Sequence, residues 1–283
     1  MGESSGLRQS RAVKFCICNE IYQGWPLPEI FRHARAAGYD AVEIAPFTIA
    51  TYVTDISAAR RREIRDQAAA AGIAISGIHW LLAKTEGLHI TTEDAAVRRR
   101  TAAYLVDLVR FSKELGGKFL ILGSPKQRDL APGVSVEEGC ARTLEVVRDA
   151  VKVAEDLGQT LCFEPLAPSE TNFINRAADA IALTHRLPSP AFKILLDVKA
   201  MCSEAKPIPQ IIQESRGEFA YFHANDQNLK GPGFGSVDFL PIGSALREVG
   251  YDGYVSVEVF VFDEGPDAIA TRSRAHLRRT FGK

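Results

Sequence analysis

The stretch DLGQTLCFE (156–164) runs from a helix-like segment over Gly158 into a short apolar strand that stops on an acid. The same phrase recurs as AAGYDAVEI (36–44), AAGIAISGI (70–78), ELGGKFLIL (114–122) and EVGYDGYVSVE (248–258). In each copy a glycine stands just past a helical segment, where a left-handed residue ends the helix. An apolar run of strand length comes next in every copy. Eight such runs cover 13–19, 41–46, 73–80, 117–123, 160–165, 192–198, 219–225 and 254–260.

Between the runs lie segments of helical period. Residues 27–37 carry Leu27, Ile30, Phe31 and Ala34; residues 93–115 carry Val97, Tyr104, Leu105, Leu108 and Phe111. Both are close to the i, i+3, i+4 spacing of an amphipathic helix. Residues 57–71 are rich in Ala and Arg, and Ser135 with Glu138 three residues later forms a capping box for a helix over 136–157. Strands alternating with helices through short connections imply a parallel sheet with right-handed crossovers. Eight such units close naturally, so the sequence predicts an α/β fold, a single (β/α)8 TIM barrel. It is expected to span residues 12–283, with residues 1–11 a disordered tail.

Composition agrees. A chain of 283 residues that is 46% apolar can bury a large core, and α/β barrels of this length form one unit. The net charge of −1, from 34 basic and 35 acidic side chains, supplies no global field for a nucleic-acid backbone. No apolar stretch approaches the ~18 residues that cross a bilayer, and the polar start MGESSGLRQS has no apolar core of signal-peptide type. Five cysteines, an odd number and mostly within strand-like runs, fit a reducing cytoplasm better than a disulfide framework. The CxC pair Cys16 and Cys18 lacks a second cysteine pair, so it reads as alternate residues of a core strand rather than a zinc site.

The barrel turns spacing into geometry. Glu164, Asp197, His223 and Glu258 each end an apolar run, on strands five to eight. Active sites of such barrels lie at the C-terminal ends of the strands. Alternation along a strand puts Glu164 on the face of Cys162, His223 on that of Tyr221, and Glu258 on that of Ser256. If that face is the lumen, three carboxylates and an imidazole converge on one divalent metal. The plainer reading, four unrelated polar residues, is hard to reconcile with their standing on consecutive strands. A mainly oxygen donor set suits Mn²⁺ first, with Mg²⁺ or Co²⁺ as alternatives, and no organic cofactor is called for.

The strand order, ligand types and intervals resemble the xylose-isomerase-like barrel superfamily, in particular its sugar phosphate isomerase/epimerase branch. That branch includes ketose 3-epimerases, hydroxypyruvate isomerases and inosose dehydratases. The motifs are FEP (163–165), LLDVKAM (195–201), FHANDQN (222–228), GPGFGSVDF (231–239) and VSVEVF (255–260), and the similarity runs from about residue 13 onward. By this resemblance Glu164 and Glu258 both bind metal and exchange protons with substrate, Asp197 and His223 complete the ligand set, and Glu170 binds substrate. It also implies a homo-oligomer, dimer or tetramer. The chain departs from the ketose epimerases at Ala200, where they carry a substrate-binding histidine, and near Leu229, where they carry an arginine. Lys199 could replace some of those contacts, or be a solvated rim lysine.

A glutamate of ordinary pKa is a weak base for a C–H beside a carbonyl, and a Lewis acid that stabilises the enediolate would overcome this. The expected function is therefore a metal-dependent sugar isomerase or epimerase acting on a ketose. A lyase eliminating from a keto-sugar or keto-glycoside is the alternative. An endonuclease IV-like nuclease, which needs more histidines at the rim, and a non-catalytic sugar-binding subunit fit less well. The expected partner is a small carbohydrate, not a nucleic acid or a membrane. His79 and Trp80 end strand three, where an imidazole could bond a hydroxyl and an indole could stack on a sugar or simply pack the barrel top. Lys126 and Arg128 come after strand four and could hold the substrate or be solvated loop charges. Glu43 reads as a hydroxyl acceptor or a structural pair, and Asn225 and Asp226 as possible supports for His223.

Overall fold

The computed structural model describes residues 13–281. The expected tail at 1–11 lies outside the described residues. Eight strands succeed one another in chain order: Lys14–Cys18 (β1), Ala41–Ile44 (β2), Ala74–Ile78 (β3), Phe119–Leu122 (β4), Thr160–Phe163 (β5), Phe192–Asp197 (β6), Phe219–Ala224 (β7) and Tyr254–Val257 (β8). Every neighbouring pair is parallel, and β1 pairs with β8, so the sheet closes into a barrel. All eight predicted strands are present, shortened at both ends in β1, β3 and β4 and at the C-terminal end alone in the other five. Glu164 and Glu258 consequently stand one residue beyond their strands, at the rim.

Nine helices surround the barrel among the described residues: Leu27–Ala36 (α1), Ala58–Ala70 (α2), Ala95–Glu114 (α3), Val136–Leu157 (α4), Ala177–His185 (α5), Val198–Met201 (α6), Ile208–Glu214 (α7), Phe239–Glu248 (α8) and Gly265–Phe281 (α9). Helix α4 shows how the local signals act together. The Ser135 hydroxyl accepts from the Glu138 N–H at 3.2 Å while the Glu138 carboxylate accepts from the Ser135 N–H at 2.9 Å. Cys140, Leu144, Val147, Val151 and Ala154 form its buried stripe, and Gly158 ends it at φ 67°. No helix among the described residues is long and apolar enough to cross a membrane.

The apolar side chains form two clusters. The larger lies between the strands and the surrounding helices. The smaller, Phe119, Ile121, Cys162, Leu195 and Tyr221, fills the lower lumen. Cys162 and Tyr221 thus face the axis, as the alternation from Glu164 and His223 requires. Above this floor the lumen turns polar: Cys16 contacts Ser76 at 3.2 Å, and Ser76 meets the Tyr221 hydroxyl at 2.8 Å. Cys16 and Cys18 are buried thiols on the lumen side of β1, and Cys18 stands within 4.8 Å of Glu43 and His79.

Strand β3 touches β4 through only two register pairs, Gly77–Phe119 and Ile78–Leu120. A Cβ on Gly77 would lie 1.9 Å from the Phe119 carbonyl oxygen, a backbone atom that cannot rotate away. Gly77→Ala is therefore expected to cost roughly 2–3 kcal/mol. Thermal unfolding checks it: the midpoint should fall by several degrees, and an unchanged midpoint would contradict the close approach.

Candidate metal centre and active site

The barrel brings Glu164, Asp197, His223 and Glu258 together as predicted. One ligand atom from each lies within 4.8 Å of all the others, and all four residues are buried. Asp197 and His223 are register partners on β6 and β7, which fixes their spacing through the sheet itself. His223 Nδ1 faces Glu258 Oε2 at 3.1 Å and Glu164 Oε1 at 3.7 Å. It makes no hydrogen bond, an uncommon state for a buried ring nitrogen.

Each member is held from behind. His223 Nε2 lies 3.2 Å from Glu43 Oε2 and 3.3 Å from Glu43 Oε1, and Glu43 is fully buried. A carboxylate there demands the proton on Nε2, which leaves the Nδ1 lone pair for a ligand. Ser256 Oγ donates to Glu43 Oε2 at 2.7 Å and fixes that carboxylate in turn. The β2–β3 register shifts between Val42 and Glu43, an irregularity of the kind that re-aims a side chain near a site. Asp197 caps α6 by accepting from the Ala200 N–H at 2.7 Å, and its other oxygen accepts from Asn225 Nδ2 at 2.6 Å. Asn225 therefore supports Asp197 rather than His223. Asp226 anchors the next loop, accepting from the Val237 N–H at 3.0 Å. Beside Glu164, Gly123 leaves the necessary space, since a Cβ there would sit 1.7 Å from Glu164 Oε2. The Trp80 indole N–H donates to Glu258 Oε1 at 3.1 Å.

Electrostatics describe a cluster in want of a cation. Burial pushes the Glu164 carboxyl up to about 7, against the contact with His223. Burial also works to raise Glu258, but His223, His79 and Lys199 override it and hold that carboxyl at about 2. Burial opposes charge on His223 too, yet Glu258 and Glu43 raise it well above the ordinary histidine value. Glu43 is held below its ordinary value by His223 and His79, despite complete burial, and so stays an ionised acceptor. Without a metal, then, the imidazolium compensates its carboxylate neighbours. Three carboxylates and an inward Nδ1 that can give up its proton fit a divalent ion with hard-donor preference.

The remaining sequence candidates divide. Lys199 is buried, donates to Glu170 Oε1 at 2.7 Å and sits 3.9 Å over the Phe260 ring, so it is not a solvated rim lysine. Glu170 also accepts from the Ala167 N–H at 3.2 Å, which braces the loop after β5. Lys126 is exposed on the loop after β4. Arg128 is fully buried, with one guanidinium nitrogen donating to the Glu164 carbonyl at 2.6 Å and another to that of Leu122. Its guanidinium lies over Phe163 at 4.6 Å, so it braces the main chain under Glu164 rather than facing the rim. His79 is likewise fully buried, 2.9 Å from Glu20 and 3.7 Å from Glu43.

Glu20 is the residue that sequence reasoning missed. Its carboxylate, His79 and Glu258 form a second group with ligand atoms within 4.8 Å of one another. The signal was its place two residues beyond β1, in the run FCICNE (15–20).

Known proteins of similar sequence and shape point the same way. A family model described as xylose isomerase-like TIM barrel matches residues 31–280. The D-psicose 3-epimerase of Ruminiclostridium cellulolyticum is 28% identical over 226 residues, covering 79% of this chain and 75% of that one. The fructoselysine 3-epimerase of Shigella flexneri is 24% identical over 248 residues, covering 84% and 87%. A crystal structure of a D-psicose 3-epimerase in the presence of D-fructose superposes with a TM-score of 0.82 at 23% identity, covering 96% of this chain and all of that one.

Two outcomes are expected. Binding of Mn²⁺ should release between one and two protons per ion near neutral pH, one from the His223 imidazolium and part of one from Glu164, and its affinity should weaken as pH falls, more steeply below about 7 where Glu164 also takes up its proton. Calorimetry in buffers of different ionisation enthalpy measures this; an affinity independent of pH would contradict it. Glu43→Gln should lower Mn²⁺ affinity by about 10–100-fold, because the carboxylate that fixes the His223 tautomer is lost. Unchanged affinity would remove Glu43 from that role.

Proposed function

The chain belongs to the xylose isomerase-like TIM barrel family, and on that premise we propose that it is a divalent-metal-dependent sugar epimerase acting on a ketose. The observation that carries this reading is the convergence of Glu164 and Glu258 on the inward Nδ1 of His223 in a buried rim. The named activities of the relatives, all on ketoses or substituted ketoses, support it. Residues 12–283 form one catalytic barrel in this reading, with Mn²⁺ the preferred ion, a cytoplasmic location and a homodimer or homotetramer as the assembly.

Glu164, Asp197, His223 and Glu258 would hold the ion, which when bound supplies Lewis acidity toward the carbonyl of the sugar. Glu164 and Glu258 descend from strands that are not neighbours, so their carboxylates approach a sugar from different sides. The glutamate that enters ionised removes the proton from the carbon beside the carbonyl, and the other, entering in its acid form, delivers its own proton to the opposite face, which inverts that carbon and leaves the two with exchanged protonation. The indole N–H of Trp80 fixes Glu258 in place for this exchange. Arg128 and Gly123 do the same for Glu164, through its main chain and its side-chain space. Lys199 and Glu170, joined at 2.7 Å, stand beside the site as hydrogen-bonding partners for sugar hydroxyls. Burial of the four ligands keeps bulk water from the exchanging proton.

Turnover in D₂O tests the mechanism. With Mn²⁺ present, D-fructose should be inverted beside its carbonyl and acquire solvent deuterium there. Glu164→Gln should lower turnover by about 10³-fold with the fold intact by circular dichroism. Inversion without deuterium incorporation, or full turnover by Glu164→Gln, would rule the two-glutamate exchange out.

A further inference from the structure

A cavity of about 1250 Å³ opens beside the quartet, over the ends of β1, β2, β3 and β8. Cavities of about 300–1,000 Å³ hold drug-sized ligands, so this one is far larger than a monosaccharide requires. Trp80 and Glu20 line it and connect it to the chemistry. The Trp80 indole bonds Glu258 at 3.1 Å, and the Glu20 carboxylate lies within 4.8 Å of Glu258.

Aromatic rings recur in a wall that also carries Asp55, Arg60 and Lys126. At the inner end Phe47 and Trp80 meet edge to face at 6.4 Å, and Trp80 tilts against Phe260 at 6.3 Å. At the outer end Tyr22 and Trp25 pack at 5.5 Å, and His33 supports the Trp25 ring edge-on at 5.3 Å. Trp25 is nonetheless 36% exposed, on the cavity side of this stack. Trp80 adopts φ 54°, a left-handed backbone that a bulky residue takes only at a cost and that clusters at functional sites. Both indoles are thus held in place before any ligand arrives, which lowers the entropic cost of binding a flat ring. The Lys84 ammonium covers Phe47 at 4.4 Å, so even a charged lining group is paired with a ring face.

We infer that this protein's substrate is a keto sugar bearing an aromatic substituent, with the sugar at Glu164 and Glu258 and the substituent's ring between Trp25 and Phe47, Tyr22 backing Trp25 from behind. The sugar end rests on the epimerase reading above, and the substituent end on the cavity alone. A sugar ring over the quartet leaves the outer cavity unfilled, and a flat aromatic group complements its ring-lined wall by offset or edge-on stacking.

The test uses the Mn²⁺-loaded full chain with two probes that share one sugar, 4-nitrophenyl and methyl 3-keto-β-D-glucopyranoside. Proton–deuterium exchange and Kd are measured for both. The aryl sugar should bind about tenfold more tightly and exchange with a correspondingly higher kcat/KM. In Trp25→Ala, whose folding is verified by thermal unfolding, that preference should collapse to within about twofold. Equal binding of the two probes, or a preference that survives Trp25→Ala and Phe47→Ala, overturns the inference. If neither probe exchanges, the two Kd values still decide the subsite, and the epimerase reading stands or falls separately on exchange into D-fructose.

Discussion

Three buried carboxylates crowd one imidazole at the rim, and the mutual repulsion of those acids is the constraint that the rest of the site answers. Two like charges about 4 Å apart repel by about 4 kcal/mol at an effective dielectric constant near 20. Three such pairs reach on the order of 10 kcal/mol, comparable with the whole stability of an ordinary domain. In the metal-free protein the conflict is relieved by protons, one held by Glu164 near neutrality and one by His223. A divalent ion would relieve it more completely, because it would offset the charge of the carboxylates and let His223 release its proton and present Nδ1.

The scaffold makes that arrangement rigid from beneath. Glu43 reaches His223 across the lumen from β2, and Ser256 on β8 fixes Glu43 at 2.7 Å. Asn225 secures Asp197 from the segment after β7 while its own Oδ1 accepts the Lys199 N–H at 2.8 Å. Glycines supply clearance where a side chain would collide, at Gly123 beside Glu164 and at Gly77 where β3 meets β4. Positioning therefore comes from strands and buried contacts, with loops contributing the aromatic and charged groups around the mouth.

Much of this is legible in the chain itself. The helix–glycine–strand phrase is local, so five copies of it mark the barrel, and strand-end acids mark the quartet. The supports are harder to read, because they act between residues far apart in the chain: Glu43 and His223 are 180 positions apart. A carboxylate in AVEI looks like any polar residue in a strand until the barrel closes on it. Arg128 illustrates the opposite difficulty. Its neighbours in the loop SPKQR suggest a solvated rim charge, yet Phe163 and two carbonyl oxygens draw it inside. Glu20 escapes notice because β1 ends at Cys18 and the short turn Asn19–Ile21 carries the acid back over the rim.

A crystal of the protein soaked with Mn²⁺ and recorded at the manganese absorption edge shows where the ion sits. One anomalous peak is expected, enclosed by Glu164, Asp197, Glu258 and Nδ1 of His223, with Nε2 still facing Glu43. A peak bound instead through Nε2, or seated between Glu20 and His79 with the quartet empty, would contradict it.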